Sequence, residues 1–178
     1  LKAMQFIQGP KKWVLKSPQH LEQIPALLNT FPDATFAITY RDPLSVVLST
    51  ATMLSYGDRV RRYQVDPKNN FSYWHNRIKT LLERFTADYK LIPLDQKSDV
   101  FFHDLIKDNI KSVKSIYAKN SLKFSALANG EIEEYMKLNK RGKHGQVIYN
   151  LEDFNVDKSE FYGSFKFYFD AFNVLKEI

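Results

Sequence analysis

Cysteine is absent from all 178 residues. That excludes a disulfide framework, a thiolate metal site and a cysteine nucleophile, and the expectation drawn from it is a reducing, cytoplasmic setting. No run of about 18 apolar residues is present, so no membrane-spanning helix is expected. Neither an internal repeat nor a low-complexity linker occurs, and the chain reads as a single domain over residues 1–178. No secretory signal pattern is visible. The opening Leu1-Lys2-Ala3 carries no methionine, and the expectation is that residues upstream of it have been lost.

What is present suits a folded domain. Apolar residues make up 44 % and aromatics 15 % of the chain, enough for a core and too much for a disordered segment. The net charge is +6. A basic balance suits an anionic partner such as a nucleotide, a nucleic acid or an acidic membrane, and it equally serves solubility alone.

Trp13-Val14-Leu15 predicts a short buried strand. Ser17-Pro18 then reads as a helix cap followed by proline at the first helical position, with Leu21, Ile24, Leu28 and Phe31 at helical spacing. Thr35–Tyr40 is a β-rich run, apolar except at Thr39, and predicts a central strand covered on both faces and parallel to Trp13–Leu15. Asp42-Pro43 opens a second helix. Strand–helix–strand–helix order implies an α/β sheet. Phe71, Trp74, Ile78, Leu81, Leu82 and Phe85 share one helical face, Val100–Phe102 predicts a third strand, and Leu105, Ile106, Ile110, Val113 and Tyr117 form another helical face. Lys107, Lys111 and Lys114 lie opposite that last face and read as a solvated stripe. Ile132–Leu138 predicts a shorter helix, Lys140–Gly145 a basic glycine loop, and Phe161, Phe165, Tyr168, Phe169 and Phe172 a final helical face.

The densest chemistry lies at Tyr40-Arg41-Asp42-Pro43 with Ser49. Arg41 stands where a parallel strand ends and a helix begins. Free N–H groups and the positive end of the helix dipole point there, which makes an anion site. The planar guanidinium fork of Arg41 suits phosphate. Ser49 follows Asp42 by two helical turns and lies on the same face. From spacing alone a second reading stands level with this one: an arginine paired with a structural carboxylate, and a serine in a helix.

Phe31-Pro32-Asp33-Ala34, the β run, Arg41-Asp42-Pro43 and Ser49 together resemble the 3′-phosphate-binding segment of sulfotransferases that use 3′-phosphoadenosine 5′-phosphosulfate (PAPS). Trp13–Leu21 is similar to the strand and turn before that segment in bacterial members, and Lys140-Arg141-Gly142-Lys143-His144-Gly145 resembles the basic loop that closes over the same phosphate. The order of Lys140 and Arg141 is exchanged relative to the commoner pattern, which leaves open which of the two reaches the phosphate. The resemblance implies a three-layer, parallel-sheet, nucleotide-kinase-like fold. It assigns the 3′-phosphate to Arg41, Ser49, Lys140, Arg141, Gly142 and Lys143. It implies sulfuryl transfer from PAPS to a hydroxyl or amine acceptor, with PAP as product and no metal.

For catalysis the resemblance points to His20 as general base and Lys16 as the cation near the leaving oxygen. His20 follows Lys16 by four residues, where cytosolic members leave two, and it stands equally as a histidine on the first turn of a helix. Trp74 suits core packing better than adenine stacking. His75, His103 and His144 show no metal-ligand spacing. No G-x-x-x-x-G-K-[ST] loop occurs. By resemblance the strand–loop–helix unit that binds the donor's phosphosulfate is missing, and the surface it would cover is expected to associate with a partner segment. Two rivals follow: a non-catalytic PAP- or phosphate-binding module, and a nucleic-acid-binding domain. The second is disfavoured because the aromatics fall on apolar helical faces.

Overall fold

The computed structural model describes the chain except residues 141, 144, 146–148 and 150. Its helices are α1 (Lys2–Gln8), α2 (Ile24–Thr30), α3 (Pro43–Arg59), α4 (Pro67–Asp88), α5 (Phe102–Lys107), α6 (Asn109–Lys119), α7 (Ala126–Leu138), α8 (Lys158–Ser164) and α9 (Lys166–Ala171). Two strands, β1 (Phe36–Tyr40) and β2 (Lys97–Phe101), pair in parallel with Phe36 opposite Lys97 and Tyr40 opposite Phe101. Helices α3 and α4 form the crossover that a parallel pair requires.

The sheet departs from the sequence expectation in three ways. Trp13–Leu15 is not a strand, and β1 pairs with β2 instead. A strand needs a ladder for its N–H and C=O groups, and none among the described residues reaches this stretch. Val14 is 96 % exposed, and Trp13 sits under the ammonium of Lys11, 5.0 Å from the ring centroid. Second, among the described residues β1 pairs along one edge only, with β2, and is covered on one face: Ile38 and Tyr40 are buried, while Ala37 and Thr39 are exposed. Third, β2 starts at Lys97 and ends before Phe102. Its first three residues, Lys97, Ser98 and Asp99, are polar and lie outside the apolar run. Ser98 is buried, and Asp99 accepts the hydroxyls of Tyr40 at 2.7 Å and Tyr89 at 2.8 Å.

The helix after Ser17 is broken in two. A 3-10 turn spans Pro18–Glu22, and α2 restarts at Ile24 with Pro25 in its first turn. Pro25 has no N–H to continue the ladder, so it fits only at a helix start. The face from Leu105 to Tyr117 is split likewise at Asp108, whose side chain caps α6 by accepting from the Lys111 amide at 2.8 Å. Helix α7 begins six residues earlier than Ile132, at Ala126, behind the cap Ser125.

One aromatic core joins these parts. Tyr40 lies within 6.5 Å, ring to ring, of Phe85, Phe101, Tyr168 and Phe172. Buried Phe71, Ile78, Leu82 and Phe85 of α4 meet Phe161 of α8, Phe165 between α8 and α9, and Tyr168 of α9 in the same cluster. Each such side chain removed from water contributes about 1.5–3 kcal/mol. The C-terminal end of β1 is thereby clamped, and Arg41 leaves the sheet at a fixed point.

Candidate functional site

Helix α3 begins immediately beyond β1, because Asp42 caps it and Pro43 occupies its first position. The Asp42 side chain is fully buried. Its Oδ1 accepts the Leu44 amide at 2.9 Å, and its Oδ2 accepts the Tyr162 hydroxyl at 2.9 Å and the Glu177 amide at 2.8 Å. One carboxylate thus ties the start of α3 to α8 and to the C-terminal segment. Burial, the hydrogen bond to Asp42 and the neighbouring carboxylate charges push the Tyr162 hydroxyl above the ordinary phenol range. Burial pushes the Tyr168 hydroxyl up as well, opposed by a hydrogen bond with the Arg41 backbone.

Arg41 projects from this junction and holds a carboxylate. Its Nε donates to Glu177 Oε1 at 3.0 Å and Oε2 at 3.2 Å, and its second terminal nitrogen donates to Oε2 at 2.9 Å. The Phe102 ring backs the guanidinium, with the central carbon 4.1 Å from the ring centroid. This two-pronged arrangement is how arginine grips carboxylates and phosphates. Arg41 is thus paired with a carboxylate, that of Glu177. Ser49 lies on α3 two turns beyond Asp42, half-buried, off the face formed by Leu44, Val47, Leu48 and Ala51.

Within the basic loop, Gly142 and Lys143 form a turn. Gly142 and Gly145 have φ of 81° and 95°, a region that favours glycine. The Lys143 amide donates to the Lys140 carbonyl at 3.0 Å and the Gly145 amide to the Gly142 carbonyl at 2.9 Å. Asn139, Lys140, Gly142, Lys143 and Gly145 line a shallow hollow of about 250 Å³, whose lining includes neither Arg41 nor Ser49. Arg141 and His144 lie outside the described residues.

His20 sits on the 3-10 turn Pro18–Glu22, half-buried, and Lys16 is exposed just before it. That turn is pinned to α4 by Glu22, whose carboxylate takes both prongs of Arg77, one at 2.8 Å. The pairing holds Glu22 below the usual carboxylate range. Trp74 is partly buried against the core, as packing requires. Asp104 lies inside α5, 3.6 Å from His103. Among the described residues, no group of three His, Cys, Asp or Glu could hold a metal ion, and no helix is long and apolar enough to cross a membrane.

A family model described as the sulfotransferase family matches residues 1–126. The chain belongs to the sulfotransferase family. Its fold is similar to the crystal structure of sulfotransferase STF9 from Mycobacterium avium, with a TM-score of 0.80 at 19 % identity over 93 % of this chain and 43 % of that one. Sulfotransferase STF1 from Mycobacterium tuberculosis H37Rv is similar with a TM-score of 0.68 at 23 % identity, covering 92 % of this chain and 41 % of that one. No curated protein matches. This sulfotransferase-family chain therefore spans less than half the length of either solved relative.

Sequence reasoning missed three residues around the site of this family member: Glu177, Tyr162 and Phe102. Glu177 is 136 residues from Arg41, and no local pattern links them. Phe102 continues the apolar run of Val100 and Phe101, yet it opens α5 and so turns toward Arg41. Only the fixed geometry of Asp42, which needs donors beyond its own helix, could have signalled a distant partner.

Proposed function

We propose that this chain is part of a PAPS-dependent sulfotransferase and supplies the half of the donor site that holds the 3′-phosphate. The observation that carries the proposal is the occupied fork of Arg41: at the end of β1, beside the start of α3, it already grips a two-oxygen anion. A 3′-phosphate would take the same fork, with Ser49 supplying a hydroxyl and Lys140, Arg141, Gly142 and Lys143 closing over it. The reaction moves a sulfuryl group in line. The acceptor oxygen or nitrogen bonds sulfur, the bond from sulfur to the donor's phosphate oxygen breaks, and PAP leaves. In this reading His20 takes the acceptor proton and Lys16 steadies the charge left on PAP. The partners are then a nucleotide donor and a small acceptor, in the cytoplasm.

Binding of PAP and AMP tests the donor half, because only PAP carries the 3′-phosphate. One charged hydrogen-bonding contact is worth about 1.5–3 kcal/mol. PAP is therefore expected to bind about 10–150-fold more tightly than AMP, and Arg41→Ala to remove most of that preference. Equal affinities for the two nucleotides would defeat the assignment. A second reading, a PAP-binding module without catalysis, is favoured by one observation: these 178 residues contain no glycine-rich phosphate loop of the G-x-x-x-x-G-K-[ST] kind. Transfer of labelled sulfuryl groups from PAPS to alcohol, phenol or amine acceptors supports the first reading. PAP binding without turnover supports the second.

A further inference from the structure

We propose that Glu177 is a resident anion on Arg41 and sets the selectivity of the site: only a ligand able to displace a carboxylate from the fork, a phosphate monoester dianion, gains entry. This rests on the reading of Arg41 as the seat of the 3′-phosphate.

Three features of the contact carry the inference. First, the pair has the geometry of ligand recognition. Three N–H···O contacts of 2.9–3.2 Å join one guanidinium to one carboxylate, with an aromatic ring behind it. Second, the pair is reachable, since the Arg41 and Glu177 side chains are 36 % and 25 % exposed. Water therefore reaches both side chains, and an anion in solution can compete for the fork. Third, the segment that bears Glu177 is anchored without its side chain. The Glu177 amide donates to Asp42 at 2.8 Å, and the Tyr162 hydroxyl reaches the main-chain oxygen of Ile178 at 3.1 Å. The ammonium of Lys176 adds a contact 4.2 Å from the Tyr162 ring centroid. The carboxylate can therefore swing off Arg41 while the backbone stays docked.

Exchange then discriminates by charge. A carboxylate ligand replaces like with like and gains nothing. A phosphate monoester brings about −1.5 to −2 charges at pH 7 and three acceptor oxygens, so it outcompetes the resident group. Glu177 thereby screens Arg41 from the many carboxylates of the cell and lowers PAP affinity to the extent that it must be displaced.

The experiment measures PAP and AMP affinity for the chain and for Glu177→Gln, by calorimetry at fixed ionic strength. Glutamine keeps the backbone anchors and the side-chain size but removes the competing charge. E177Q is expected to bind PAP about three- to tenfold more tightly, with AMP unchanged. A wild-type preference for PAP that E177Q leaves unaltered overturns the resident-anion proposal while the 3′-phosphate reading stands. Equal gains for PAP and AMP uphold the resident anion but overturn the 3′ assignment. No preference in either protein overturns the site itself. Far-UV circular dichroism checks that E177Q folds. If it does not, Glu177→Asp withdraws the carboxylate by one methylene, and the same PAP gain, smaller in size, is the expected result.

Discussion

At Asp42 one buried carboxylate accepts three hydrogen bonds, from the Leu44 amide, the Tyr162 hydroxyl and the Glu177 amide. A cap of this kind is worth about 1 kcal/mol by itself, and each buried donor left without an acceptor costs about 1–3 kcal/mol. Asp42→Ala is therefore expected to lower stability by about 2–4 kcal/mol. That is a large share of the 5–15 kcal/mol typical of a domain. Urea denaturation followed by circular dichroism measures it, and a loss under about 0.5 kcal/mol would mean that the three donors find other acceptors. The sequence made half of this residue legible. Asp-Pro at a strand end announced a cap, and the cap is there. The other two bonds come from residues 120 and 135 positions away, and spacing rules reach no further than a helical turn or a hairpin.

At the level of elements, legibility followed the range of the forces involved. Helix α4 emerged with the face read for it, because a 3.6-residue period over 22 residues leaves no rival. The break before α2 is hidden in the sequence, because the apolar spacing of Leu21, Ile24 and Leu28 runs straight across Pro25. Strand β2 was shifted because its buried edge includes Ser98 and its exposed edge Asp99, and neither belongs to an apolar run. The joint between α4 and α8 gives a test in solution. The Ser164 hydroxyl donates to the Phe161 carbonyl at 2.7 Å, so the His75 Nε2–H donates to Ser164 at 2.9 Å. His75 also lies 4.7 Å and 5.3 Å, ring to ring, from Phe161 and Phe165. Burial and, secondarily, the charge of Lys79 hold its pKa below the ordinary imidazole value, opposed by Glu160. The unfolded chain thus binds a proton here that the folded chain resists. Stability from this group is whole above about pH 6.5 and is lost as pH falls through that value toward the folded pKa. Thermal melts from pH 7.5 to 5 should show this decline, and His75→Gln should flatten it. An unchanged slope in the variant would assign the decline to other groups.

Across the whole molecule, large apolar side chains are exposed in several stretches, one of them near Leu1. Phe6, Ile7, Val14 and Leu15 are 92, 78, 96 and 51 % exposed, all within the first 15 residues. Exposed apolar surface of this density associates. The chain at micromolar concentration is expected to sediment as more than a monomer, and the combined variant Phe6→Ser, Ile7→Ser, Val14→Thr to shift it toward monomer. A monomeric parent would overturn this. A parallel α/β arrangement was legible in the chain, but which segments pair in the sheet was not. A parallel α/β order is written in local periods, whereas the number of strands depends on which edges find partners. The Asp42 hub also bears on how the chain is made. Ribosomes add about 5–20 residues per second, and Asp42 emerges 135 residues before the Glu177 amide that it accepts. For on the order of ten seconds the start of α3 exists with its carboxylate only partly satisfied. The backbone that locks the exit of β1 is synthesised well after β1 itself, so β1 and α3 reach their final form only once the stretch around Glu177 has emerged.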